Sequence, residues 1–382
     1  MTEKLFDDST LIEFDAVVTG CDKVKNGYEI TLDRSAFFPE GGGQQGDRGM
    51  IGDTYVLDTF ERAGEVIHIC SAFIEVGKRV HGVVDKNIRL RRMQNHSGEH
   101  LLMAFIHKML GYDNVGFRVG SAGAMLDLNG VISHEQLRQC EQQANEAIAE
   151  DLPVTISYPD SEELKKLTYR SKLDMTENVR LVTIEEIDVC ACCAPHVSST
   201  GKIGLIKVLS LENYKGGTRV YIACGLDALD VFRNRSCSIY KISTMLSAKP
   251  DMAEVYVERL LEENIRLKKQ IAETERQRAE EITNSIKNDD RKSFCIFTKG
   301  LSRDVMREIA NRAVLMTDGI TGVFGEENNG FGYVIASENV PLRSVAGEIN
   351  AALDGKGGGS DKMIQGSVRA YRERIEKYFS TL

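Results

Sequence analysis

The sequence lacks any apolar run approaching the ~18 residues that a membrane-spanning helix needs. Its first residues, Met1 to Asp8, lack a basic segment followed by an apolar core, so no secretory signal is expected. A disulfide framework is missing too. The nine cysteines are odd in number, scattered, and partly clustered at 190–193, which suits free thiols in a reducing, cytoplasmic setting. Nor is there a basic excess. The net charge is −9 and the pI about 5.5, which excludes a surface coated in positive charge but leaves room for local patches. Three such patches stand out: Lys86/Arg89/Arg91/Arg92, Lys165/Lys166/Arg170/Lys172 and Arg369/Arg372/Arg374. Each also reads as an ordinary solvated helix face.

What is present is a folded chain of 382 residues, enough for two or three domains at roughly 100–200 residues each. Residues 1–88 read as short strands split by Gly, Asp and Asn, which predicts a small β-barrel. Residues 89–240 alternate helix and strand, which predicts an α+β domain with a mainly antiparallel sheet. Its first helix spans 87–110, with Leu101, Leu102, Phe105, Ile106 and Met109 as the apolar stripe and Gly111 as the stop. Ser133 with Gln136 predicts a capping box. Residues 188–200 read as a loop, and a hairpin turns around Tyr214 to Thr218. Residues 241–290 form a helical spacer. There Val257, Leu260, Asn264, Leu267 and Ile271 repeat at 3-4 spacing, a short coiled-coil seam that predicts a homodimer. Residues 291–382 read as a small α/β domain with helices at 302–314, 341–353 and 367–379 and a glycine-rich loop at 354–366.

Two segments carry chemistry. In His96-Ser97-Gly98-Glu99-His100 the imidazoles lie four apart, on one face of a helix, where both can reach one metal ion. Nearly a hundred residues later, Cys192-Cys193-Ala194-Pro195-His196 offers a thiolate and another imidazole. Three nitrogens and one sulfur make a set that zinc accepts readily. Cys190 and Cys193 are rival donors, and spacing favours Cys192. Glu99 opens a different reading, because H-x-x-E-H also fits a zinc peptidase with Glu99 as general base. That reading leaves the second segment unused.

Two glycine-rich stretches complete the set. Gly41-Gly42-Gly43-Gln44 lets a backbone approach a ligand closely. It lacks the Gly-Lys-Ser/Thr ending of a P-loop. Lys356-Gly357-Gly358-Gly359 and Lys362 suit phosphate contacts through exposed amides and ammonium groups.

The order Phe37-Phe38-Pro39-Glu40-Gly41-Gly42-Gly43-Gln44, Asn95 to Leu102, Cys192 to Val197, Thr200 to Gly204 and Lys215 to Val220 closely resembles the editing domain of alanyl-tRNA synthetase and its free-standing relatives, the AlaX proteins. The tail from Gly355 to Gly366, behind a helical spacer, resembles the synthetase's C-terminal domain. Nothing resembles the aminoacylation core, so the long AlaX form is the match. The resemblance implies a trans-editing hydrolase acting on tRNA(Ala) mischarged with serine, and sometimes glycine. It implies zinc ligands at His96, His100, Cys192 and His196, and a substrate pocket near Ser35, Gly41, Gly42, Gly43 and Gln44. It further implies tRNA contacts around Lys215, Arg219, Lys356, Gly357, Gly358, Gly359 and Lys362. The chain departs from the synthetase pattern between Cys192 and His196, where Gly-Gly-Thr is usual. Arg118, before Gly120-Ser121, has no counterpart role. A non-catalytic tRNA-binding zinc module is the remaining alternative.

Overall fold

The computed structural model describes residues 1–120, 123–171, 179–286 and 292–382; Ser121 and Lys172, named above, lie outside them. The chain divides into two compact units, Met1–Lys241 and Ile242–Leu382.

The first unit opens with β1 (Glu3–Lys4), which pairs in parallel with β4 (Arg34–Ser35) beyond the hairpin of β2 (Glu13–Val24) and β3 (Gly27–Leu32). With β5 (Gly49–Ile51), β6 (Thr54–Arg62), β7 (Glu65–Cys70) and β8 (Arg79–Val84), that hairpin closes a six-stranded barrel in the order β2-β3-β7-β6-β5-β8. Period-2 alternation turns Val80 and Val84 inward beside Phe14, Val18, Ile30, Leu32 and Ile51.

Helix α1 (Lys86–Leu110) follows after one residue. Asp85 caps it by accepting the N–H groups of Asn87 and Ile88, and Gly111 ends it in the left-handed region at φ 69°. Its middle is buried on every side, from Arg92 to Ala104. Gly98 is required there: a Cβ would stand 2.4 Å from Cys224 Sγ. On α1 packs an antiparallel sheet of β9 (Asn114–Val119) and β10 (Ala124–Leu128), and of two later strands. Helix α2 (His134–Ala149), with the Ser133/Gln136 capping box, also packs on α1. A second sheet, in the order β11-β12-β13, joins β11 (Val154–Ser157), β12 (Leu181–Ile184) and β13 (Asp188–Ala191), with the one-turn α3 (Ser161–Leu164) between the first two. The expected loop at 188–200 is thus corrected. It begins as a strand because Asp188 pairs with Ile184 across a tight turn, and only the part holding Pro195 is irregular. The hairpin β14 (Ile206–Tyr214) and β15 (Gly217–Cys224) completes the first sheet, in the order β14-β15-β10-β9.

The expected single spacer helix is two helices, α4 (Gly225–Met245) and α5 (Ala253–Ser285), separated at Pro250, which cannot continue a helix interior. In the second unit a five-stranded sheet has the order β16-β17-β18-β20-β19. It is built from β16 (Phe294–Thr298), α6 (Arg303–Ala313), β17 (Thr321–Glu327), β18 (Gly330–Ala336), α7 (Leu342–Ala352), β19 (Gly355–Gly359), β20 (Met363–Val368) and α8 (Arg372–Phe379). The expected glycine-rich loop is therefore an antiparallel strand pair, and the last helix starts at Arg372. Glycine is needed there because Tyr333 lies against the pair: a Cβ on Gly357 would meet its hydroxyl at 2.2 Å. Among the described residues, no helix is long and apolar enough to cross a membrane.

Candidate metal centre

Helical spacing puts His96 and His100 on one face of α1, and the chain beyond β13 brings Cys192 and His196 against them. One donor atom from each of the four lies within 4.8 Å of all the others. His96 Nε2 is 3.5 Å and His196 Nε2 3.4 Å from Cys192 Sγ. Tetrahedral zinc with bonds near 2.05 Å to nitrogen and 2.3 Å to sulfur sets nitrogen and sulfur about 3.6 Å apart. The donor set therefore fits zinc in kind and in spacing.

The far ring nitrogens are held as well. His96 Nδ1 donates to Gln44 Oε1 at 3.0 Å, which leaves Nε2 with its lone pair toward the cluster. Ser97 Oγ lies 2.9 Å from His196 Nδ1 and accepts the Val197 N–H at 3.2 Å. Burial holds the His196 pKa well below the ordinary histidine range, with the nearby charges of His100, His96 and Arg180 adding to it. A neutral imidazole is the ligand form. Burial also pushes the Cys192 thiol up to about 12.

The glycine loop covers this cluster. Cβ atoms on Gly41 and Gly42 would lie 3.7 and 3.6 Å from Cys193 Sγ, and the one on Gly42 3.7 Å from His96 Cε1. Gly43 has φ +81°, its carbonyl accepts from Val119, and a Cβ would meet Phe117 O at 2.4 Å. Gln44 is fully buried, and its Nε2 has no hydrogen-bond partner among the described residues. Ser35 is buried in the barrel unit. Its hydroxyl lies 2.8 Å from His68 Nε2 and accepts from Phe37 N–H at 3.1 Å.

Asp47, which the sequence reading does not single out, holds the loop to the helix together with Arg89 and Arg92. Asp47 accepts from Phe38 N–H at 2.8 Å, from Arg89 Nε at 2.7 Å and from Arg89 Nη2. Arg89 also donates to Ala36 O at 2.6 Å, and Arg92 to Gly46 O at 2.6 Å. The basic patch expected at 86–92 is thereby corrected: Arg89 and Arg92 are buried, and Arg91 pairs with Asp227 and Asp230. In the second expected patch, Lys165 pairs with Glu162 and Arg170 with Asp188. In the third, Arg372 pairs with Glu376. Glu99 does not stand ready as a peptidase base. It is buried, accepts from Asn114 Nδ2, and lies 3.8 Å from His100 Nε2. His100 also stands near Asp188 and Cys190, but Arg170 already neutralises Asp188 there, with two hydrogen bonds at 2.8 and 2.5 Å.

Of the expected tRNA contacts, Arg219 makes two hydrogen bonds to Asp127 at 2.6 and 2.9 Å and stacks on Tyr214. Lys215 occupies the hairpin turn. Lys356 and Gly357–Gly359 lie exposed on β19, at the sheet edge, and Lys362 pairs with Glu338.

Residues 179–221 match the family described as the threonyl and alanyl tRNA synthetase second additional domain. The chain is 30% identical to the alanyl-tRNA editing protein AlaX-L of Pyrococcus horikoshii, over 98% of this chain and 96% of that protein. It belongs to the alanyl-tRNA editing protein family. The editing protein Aarsd1 of Danio rerio is 27% identical over 97% of this chain and 94% of its own. The alanine–tRNA ligase of Archaeoglobus fulgidus is 30% identical over 98% of this chain but only 43% of the ligase. The alignments thus span over nine-tenths of both editing proteins but less than half of the ligase.

Proposed function

We propose that this chain is a zinc-dependent aminoacyl-tRNA hydrolase that removes serine from mischarged tRNA(Ala). The observation that carries the reading is the convergence of His96, His100, Cys192 and His196 at zinc spacing, in a chain of the alanyl-tRNA editing family. The bond broken is the ester between the amino acid and the terminal ribose, with water as the second reactant.

When bound, zinc supplies a Lewis acid that lowers the pKa of a water toward ~7 or orients the substrate amino group. The chain's own residues do the rest. Gln44 fixes the His96 ring through Oε1 and offers its Nε2 donor to the ester carbonyl. Gly41 to Gly43 keep side chains away so that the backbone can approach the substrate. Ser35 holds the chain leading into the loop by accepting from Phe37 N–H. A site built to hydrogen-bond the serine hydroxyl can reject an analogue without it by up to ~10⁴-fold. Lys215, Arg219, Lys356, Gly357–Gly359 and Lys362 contact the tRNA backbone, which raises the local concentration of the acceptor end. The half-exposed to exposed row of Val257, Leu260, Leu267 and Ile271 on α5 packs against a second copy.

Stripping the metal with a chelator and restoring it tests the reading. Loss of Ser-tRNA(Ala) hydrolysis on stripping and its recovery with zinc are expected; an undiminished rate after stripping overturns it. One observation favours a second reading. Four protein donors make a closed set of the kind found in structural zinc sites. Tight zinc and tRNA binding without deacylation would establish that reading instead.

A further inference from the structure

Arg180 enters no reading of the site, yet it grips the segment that carries two of the four donors. It directly precedes β12 and is 8% exposed. Its Nη1 donates to Cys192 O at 2.7 Å and to Ala194 O at 3.0 Å, and its own carbonyl accepts the Cys192 N–H at 3.1 Å. These three bonds begin where the ladder of β13 ends, at Ala191. Past that point Pro195 has no N–H to give, so the carbonyls of Cys192 and Ala194 need a donor from elsewhere. Ala194 is fully buried among Phe6, Phe38 and Val66, away from bulk water. Asp7 Oδ1 lies 3.5 Å from the Arg180 Nε. Its Nε and Nη2 have no hydrogen-bond partner among the described residues. The charge therefore stays buried and is spent mainly on two main-chain oxygens.

We propose that Arg180 is a positioning residue for the metal centre. By holding the carbonyls of Cys192 and Ala194 in one fork, it fixes the path of the Cys192–His196 loop. That path sets the 3.4 Å separation between Cys192 Sγ and His196 Nε2. The inference rests on the zinc reading above. It also accounts for how a loop reading Cys-Cys-Ala-Pro-His can present both ligands. A residue that merely filled space would be replaceable by a methionine of similar length. A donor to two carbonyls is not, and a lysine, as a point donor on a flexible stem, replaces it only in part.

The test uses the full chain as wild type, Arg180→Met and Arg180→Lys. Zinc affinity is measured by competition with a chromogenic chelator, and the ligand geometry from the absorption of the cobalt(II)-loaded protein. Outer-shell partners of metal ligands typically contribute 10- to 100-fold in affinity. Arg180→Met is expected to weaken zinc by about that factor and to change the cobalt bands. Arg180→Lys is expected to recover part of the affinity. Zinc binding by Arg180→Met within twofold of wild type, with unchanged cobalt bands, overturns the proposal. Should Arg180→Met lack a cooperative unfolding transition, Arg180→Lys decides. Weakening of threefold or more supports the proposal, and affinity within twofold of wild type overturns it. A wild-type chain that takes up no zinc overturns the metal reading, and this proposal with it.

Discussion

Replacing Asp47 by alanine removes the carboxylate that ties the glycine loop to α1. Its partner Arg89 has a side chain only 1% exposed, and Asp47 itself is fully buried. After the change Arg89 keeps Ala36 O at 2.6 Å as its one close acceptor, and Phe38 N–H loses its own. Breaking a buried pair by removing one partner costs about 3–5 kcal/mol, because the other charge is left uncompensated. For a unit of this size each kcal/mol lowers the melting temperature by roughly 2–4 °C, so a fall of roughly 10 °C is expected. The assays are thermal and urea unfolding, both followed by circular dichroism. A second variant, Asp47→Leu with Arg89→Met, takes out both charges and is expected to regain at least half of the loss. A loss below ~1 kcal/mol for Asp47→Ala would refute the reasoning, since no buried charge can then have been stranded.

Other outcomes follow from the same geometry. Burial pushes the His68 pKa down to about 4, from 6.5 in the open chain, so the unfolded state binds the proton first as pH falls. Its contribution is present in full above pH ~6.5 and is lost toward pH ~4. It amounts to roughly 3 kcal/mol, which His68→Gln should largely remove from the pH dependence of the urea midpoint. Gly98→Ala drives a methyl into Cys224 Sγ and should cost about 1–3 kcal/mol, read as a lower midpoint with reduced zinc content. Leu260→Asp with Leu267→Asp on α5 should convert a dimer to a monomer in light scattering; a wild-type monomer at micromolar concentration removes the seam as an interface.

The two halves of the clustered set His96, His100, Cys192 and His196 are legible because each pair is local: an i, i+4 spacing on a helix with a clear apolar stripe, and the same spacing in a segment rich in cysteine. Capping chemistry likewise made Ser133 readable as a helix start, and alternation made the barrel readable as strands. What stayed hidden depends on partners far away in sequence. Asp47 and Arg89 lie 42 positions apart, and each looks like a surface charge until the fold buries both. Arg180 reads as an ordinary strand flank, because nothing local shows that its partners are main-chain oxygens at 192 and 194. The strand pair at 355–368 reads as a loop in the sequence for a related reason. Its glycines weaken any local strand signal, and at Gly357 and Gly366 the reason is Tyr333 lying against them. Gly46-Asp47-Arg48-Gly49 did contain a usable signal, a carboxylate directly after a glycine loop, but no spacing rule named its partner.

The most direct measurement is the deacylation rate of Ser-tRNA(Ala) beside Ala-tRNA(Ala) and Gly-tRNA(Ala), for wild type and for His96→Ala with its zinc content determined. Serine should be cleared at least ~100-fold faster than alanine by the wild type, within the range a hydroxyl-reading site can reach. That preference should vanish together with the zinc in His96→Ala. Equal loss of serine and alanine, or serine clearance that persists in a zinc-free His96→Ala chain, would contradict it.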